Sequence, residues 1–295
     1  MPDINEVTDN GRTVNGRTHN YNAHAEILSG KLKLPVEQHI VPQSHAQLPE
    51  EGGYFTQRAE KYRLESVISI HSSYTHVAGI PEPVDPRRKK EGGWITVSTT
   101  VIEGLNVLEI VTVDRLVGQI ITHHPLRGYV PTVTFLGTRF ENFRIGGYPV
   151  HIDLDINLLG PKPENDAAFT HDSGLIARAK SQVESVLQLG NLAADLRERY
   201  NRLSPRFGSP QEEVEFSLVK SITGTFPGTA RGNVIHIPDF GSLALARVTV
   251  KHEDFKDKTP KKTTFGLTMI DFHFGCAIDG NTPIGSGGAN GGSVP

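Results

Sequence analysis

The side chains best placed to do chemistry lie at two-residue intervals. His151, Asp153 and Asp155 alternate with Val150, Ile152, Leu154, Ile156 and Leu158. In a strand, alternate residues share a face. One imidazole and two carboxylates would then line the wet face, a donor set that suits zinc, manganese or iron. A divalent metal held there would lower the pKa of a bound water and ready it for hydrolysis. Same-face neighbours lie ~6.6 Å apart, so two reach one ion and three in a row strain. Asp271 and His273 repeat the pattern, with Ile270, Phe272 and Phe274 on the other face. They would complete the metal site if their strand neighbours the first. For both sets the competing expectation is a solvated strand face.

Other reactive residues are less well placed. His123 and His124 are adjacent, so a strand sends them to opposite faces, and a turn or surface pair is expected. Cys276 follows His273 by an odd offset, which argues against a Cys–His nucleophilic pair. As the single cysteine it excludes an intrachain disulfide and a Cys-rich zinc centre. No G-x-S-x-G elbow, H-E-x-x-H helix, dinucleotide fingerprint or phosphate-binding loop is present. No catalytic residue is assigned, and no cofactor beyond a divalent metal is expected.

Composition bounds the remaining classes. The 295 residues carry 30 Lys and Arg against 33 Asp and Glu, a net charge of −3. That balance argues against a phosphate-backbone binder. The basic run Arg87-Arg88-Lys89-Lys90 lacks interleaved aromatics and is expected to be a solvated loop rather than a nucleic-acid platform. No run of ~18 apolar residues exists, so no membrane span is expected. The polar start lacks the apolar run of a secretory signal, which implies a cytoplasmic or already processed chain.

The elements that would position these residues are mostly strands. Residues 62–70, 94–101, 109–113, 115–122, 214–219, 233–237, 243–250 and 265–274 are short apolar runs rich in β-branched residues. Gly146-Gly147 suits a hairpin turn. From about 173 to 203, Ile176, Ala179, Val183, Val186, Ala193, Leu196, Tyr200 and Leu203 recur at spacings of three and four, a helical stripe. Asp172 or Ser173 suits its N-cap. Gly190 marks a bend or a break into two helices, and Pro205 ends the segment. Leu187, Leu189 and Leu192 fall off the stripe, which predicts a second buried side against a partner.

The predicted fold is therefore mainly β, an antiparallel β-sandwich or barrel-like core with one long helical excursion. Residues 1–20 read as an extended N-terminal arm and 21–274 as one β-rich domain. Residues 275–295 read as a Gly-rich C-terminal tail, expected to stay unordered because it holds little apolar surface.

Two stretches carry a resemblance. Val101-Ile-Glu-Gly-Leu-Asn-Val-Leu108 leads to Val111-Thr-Val-Asp-Arg-Leu-Val117, and Phe135-Leu-Gly-Thr-Arg-Phe-Glu-Asn-Phe-Arg-Ile-Gly-Gly-Tyr-Pro-Val150 follows. With Leu267-Thr-Met-Ile-Asp-Phe-His273, this order resembles bacterial surface β-proteins of the choice-of-anchor type. The resemblance covers about a third of the chain and implies an extracellular, non-enzymatic protein. The helical segment is a departure from that pattern, and no residue roles carry over.

These readings favour a structural protein that self-associates with copies of itself through sheet edges, helix and arms. Two alternatives compete with it. One is a metal-dependent hydrolase using His151, Asp153 and Asp155. The other is a carbohydrate- or protein-binding sandwich presenting Trp94, Tyr129 or Tyr148.

Overall fold

The computed structural model describes residues 7–8, 13–14, 17–32, 38–84, 92–203, 212–253, 262–275 and 280–294. The charged segment after Glu253, the basic run 87–90 and Cys276 lie outside them. The chain is mainly β, and its sheets are antiparallel and open.

The larger sheet, sheet A, has 11 strands. In spatial order its main path is β1 (Val7–Thr8), β2 (Thr13–Val14), β3 (Arg17–Leu32), β21 (Gly280–Val294), β20 (Lys262–Phe274), β19 (Gly241–Glu253), β18 (Val234–Ile237) and β17 (Thr229–Arg231). Off this path, β4 (Gln38–Gln43) and β5 (Ala46–Gln47) pair with β3, and β15 (Glu213–Ser217) pairs with β19. Sheet B has eight strands. Its path is β13 (Tyr148–Pro149), β12 (Arg144–Ile145), β9 (Val111–Pro125), β8 (Gly93–Val107), β7 (Ile68–Glu82) and β6 (Gly53–Leu64), with β10 (Thr132–Thr134) and β11 (Arg139–Glu141) on the far side of β9. A third, small sheet joins β14 (His151–Leu154) to β16 (Val219–Thr223).

Sheets A and B pack face to face, with β3 and β21 over β7, β8 and β9. Period-two alternation builds the layer between them. Ile68, Ile70, Ile102, Val113, Leu116 and Ile120 point inward from sheet B and meet Ile27, Leu28, Ile270 and Ile284. Each such side chain, fully buried, contributes roughly 1.5–3 kcal/mol. Between Ile145 and Tyr148, Gly146 and Gly147 both take positive φ, 57° and 81°, and close the expected two-residue hairpin.

The helical segment is two helices. In α1 (Ser173–Leu187) the N-cap is Asp172, whose Oδ1 accepts from the Leu175 N–H at 2.6 Å. The second helix is α2 (Ala194–Leu203). Arg197 ties their joint by donating to the carbonyls of Leu189 and Gly190. Leu189 and Leu192 do not face a partner, as the off-stripe spacing had implied. They are buried at this joint, in one cluster with Val183, Val186, Leu196 and Tyr200 of the helices and Val234 and Ala244 of sheet A.

Three further expectations are corrected. The Gly-rich tail is ordered as β21, hydrogen-bonded to β20 on one side and β3 on the other. Of its side chains, Ile284 and Ala289 reach the main core. Its backbone groups are paired on both edges, and its missing side chains let the layers approach. A Cβ on Gly287 would lie 2.5 Å from Ser98 Oγ, and one on Gly288 2.4 Å from His24 Cε1. At the other end, sheet pairing begins before residue 20: β3 starts at Arg17, and Thr13 and Val14 pair with Thr18 and Arg17. The strand after Val150 is also shorter than its alternation suggested. It stops at Leu154, because the Asp155 side chain accepts from the Asn157 N–H at 3.2 Å and sets a turn.

Candidate functional site

The candidate metal ligands are placed apart. His151 is exposed on β14, opposite Thr223. Asp153 Oδ2 lies 3.5 Å from Lys220 Nζ, a pair open to water. Asp155 is occupied as the turn residue just described. The ion contacts of Asp271 and His273 run to α2 and β19, not to β14. Among the described residues no three His, Cys, Asp or Glu side chains gather where they could hold a metal ion.

Asp271 and His273 do meet each other, but on a buried face rather than a wet one. They are 1% and 4% exposed. The other face of β20 carries Ile270, Phe272 and Phe274 into the main core, as the alternation requires. Helix α2 covers the polar face. His273 Nδ1–H donates to Asp195 Oδ2 on α2, and His273 Nε2 lies 3.4 Å from Asp271 Oδ2. Asp271 Oδ2 is also 2.9 Å from Arg247 Nη1 on β19 and 3.5 Å from Arg199 Nη1 on α2. Arg199 Nη2 reaches Glu215 Oε2 on β15 at 2.5 Å. Three carboxylates thus face two guanidiniums and one imidazole. Burial disfavours the His273 charge, yet its bonds to Asp195 and Asp271 outweigh this and hold its pKa at about 9. The bond from His273 keeps Asp195 below the usual carboxylate range. Burial raises Glu215 against the opposing pull of Arg199. The cluster joins α2 to three strands of sheet A. The space beside it, lined by Tyr200, Asn233 and Gln182, has a volume of only about 10 Å³ and admits no substrate.

The aromatic candidates divide. Trp94, expected among the presented rings, is fully buried. It stacks on His19, with ring centroids 4.9 Å apart and planes within 6°. His124 lies 4.9 Å from the same His19 ring. Burial, followed by the neighbouring His19, His123, Lys162 and Arg17 charges, pushes His124 well below the usual histidine pKa. His123 takes the opposite face, with Nε2 2.9 Å from Glu82 Oε2. Tyr129 lies under the Arg17 guanidinium at 4.9 Å, and Tyr148 is exposed at the hairpin tip.

The open surface with the most organised chemistry is sheet B, on its outward face and its β6 edge. Among the described residues no strand pairs with β6 on the side away from β7. Near its start β6 is uncovered on both faces: Tyr54 and its neighbour Phe55 point opposite ways and are 81% and 42% exposed. Lys61, at φ 55°, interrupts the pairing, so residues 53–60 form the straight part of this edge. On the outward face Arg58 lies opposite Tyr74, and Ser72 opposite Glu103, which lies opposite Arg115. These residues border a groove of about 310 Å³. Sequence reasoning did not single them out. The signal available was the shared parity of Ser72, Tyr74 and His76 along β7.

Comparison with known proteins gives one match. No curated protein and no solved structure matches the chain. A family model described as a domain of unknown function (DUF8256) matches residues 19–251, from the buried His19 at the sandwich end to Lys251 on β19. That span takes in all of sheet B, both helices and, in sheet A, β4, β5, β15, β17, β18 and most of β3 and β19, and it covers well over half of the sequence: the chain belongs to the DUF8256 family.

Proposed function

We propose that this protein is a non-enzymatic, structural β-sandwich that associates with copies of itself, with β6 as the joining edge. The observation that carries this reading is the condition of β6. It is 12 residues long, it presents one row of backbone groups to no described strand, and its aromatic residues emerge on both faces. An edge of this kind is a template for another strand. A second β6 laid antiparallel against it would pair those groups and cover Tyr54 and Phe55 at once. The closed symmetry of such a pair is the commonest route to a dimer. The ionisable groups inside the fold support the same reading, since Asp195, Asp271, His273, Arg199, Arg247 and Glu215 are spent on one another. The resemblance to choice-of-anchor surface proteins also points to a non-enzymatic role.

Light scattering on the eluting peak tests this. The intact chain is expected at twice its 32.3 kDa or more. The double variant Tyr54→Lys, Phe55→Lys is expected at the single-chain mass, with an unchanged far-ultraviolet spectrum. A wild-type chain that stays at the single-chain mass at high concentration would sink the proposal.

A further inference from the structure

The outward face of sheet B holds more than an edge. Tyr74 and His76 follow one another on this face of β7, their ring planes parallel within 4° and their centroids 6.3 Å apart. Thr56 Oγ1 lies 3.0 Å from His76 Nδ1 and fixes that ring. Tyr54 continues the line, since it pairs with Ala78, two residues beyond His76. Beside the rings the polar groups come as planar forks. Glu103 Oε2 accepts from Ser72 Oγ at 2.8 Å, and Glu103 Oε1 is 3.9 Å from Arg115 Nε. Arg115 Nε is itself buried without a hydrogen-bond partner. Arg58, at the groove, pairs at 3.1 Å with Glu60, two residues further along β6.

We infer that this face binds a neutral saccharide chain, which lies along β7 with sugar rings against Tyr74 and His76 and hydroxyls against Glu103 and Arg115. Three properties select that class of ligand. The C–H faces of a pyranose are weakly apolar and pack on flat rings, while its rim of hydroxyls both donates and accepts. A carboxylate beside a guanidinium supplies the matching acceptor and donor. Arg58 and Arg115 at the groove are countered by Glu103 within it and Glu60 beside it, so this face offers little net charge to draw a polyanion. The groove is shallow and open along a sheet. A small molecule would leave most of its surface in water there, whereas an extended chain gains contacts along its length. All these side chains stand on strands, so little freedom is lost on binding. The inference does not rest on self-association, because pairing through the β6 edge covers Tyr54 but leaves Tyr74, His76, Glu103 and Arg115 on β7, β8 and β9 open.

Affinity electrophoresis of the full chain tests it, in native gels cast with soluble β-glucan, arabinoxylan, galactomannan or dextran, and with the polyanions alginate and heparin for contrast. The wild-type chain is expected to be retarded in at least one of these gels. Tyr74→Ala and Arg115→Ala should each weaken the retarding affinity about tenfold or more. Tyr74→Phe should retain it, and so should Tyr148→Ala on the distant hairpin. Circular dichroism checks that each variant is folded. No retardation in any gel would overturn the inference, as would equal retardation of Tyr74→Ala and wild type. Retardation only by alginate or heparin would overturn the neutral class. A monomer that is retarded would refute the proposed self-association and leave this inference standing.

Discussion

His273 on β20 and Asp195 on α2 share a hydrogen bond across 78 residues of sequence, and that bond closes the polar layer between helix and sheet. It makes stability depend on alkalinity. The folded pKa of His273, about 9, lies above its ordinary value of 6.5. The stabilisation is therefore complete below about pH 6.5 and is lost as pH rises through about 9. A shift of this size corresponds to roughly 3 kcal/mol at most. Urea midpoints measured from pH 6 to 10 should fall across that window. A flat profile would show that the imidazolium does not hold α2. On the acid side Asp195, held below 3.8, loses its contribution as pH falls through its folded value.

Arg247→Met should be more damaging than loss of a surface charge. Asp271 is 1% exposed, and Arg247 Nη1 at 2.9 Å is its nearest cation. Removing that cation leaves a buried carboxylate short of charge, which typically costs about 3–5 kcal/mol. Adding Asp271→Asn to the variant should recover part of the loss. Chemical denaturation of the two variants checks both statements, and an Arg247→Met chain as stable as wild type would contradict the first.

Gly287→Ala should destabilise by roughly 1–3 kcal/mol, although alanine is ordinarily the better ordered residue. Its methyl would lie 2.5 Å from Ser98 Oγ. That hydroxyl is not free to move, because it donates to the His24 carbonyl at 2.6 Å. Combining the change with Ser98→Gly removes the obstacle and should restore part of the melting temperature. No restoration would place the strain elsewhere.

His151→Ala and Asp153→Ala should leave stability within about 0.5 kcal/mol, as for ordinary surface positions. Asp153 loses only its contact with Lys220, and both groups face water. Thermal unfolding of the two variants is the check. A larger loss would reveal a partner for these side chains beyond those of the single chain.

Much of this architecture is legible in the sequence because the informative signals are side-chain periods. Runs of β-branched residues along 94–101 and 115–122 mark β8 and β9, and the spacing of Ala179, Val183 and Val186 marks α1. Gly146-Gly147 identifies its hairpin because its neighbours pair directly across it. Alternation tells which residues share a face but not what covers that face. Asp271 and His273 therefore read as wet, and only the docking of α2 reveals them as buried. The strand made of Gly285, Gly287 and Gly288 has hardly any side-chain pattern to detect, since its pairing is backbone alone. Asp155 hid a turn inside a regular alternation, because a carboxylate that caps its own backbone looks like any other polar residue.

The position of β21 constrains how the molecule can be made. It is the last strand described, yet it lies between β3, near the start, and β20. On the ribosome the early strands of sheet A must wait with an unmatched border until residues 280–294 emerge, and only then does the two-layered body become whole. Such distant pairing is slow and leaves sticky borders open in the meantime. The growing polypeptide is thus open to clumping until residues 280–294 settle between β3 and β20.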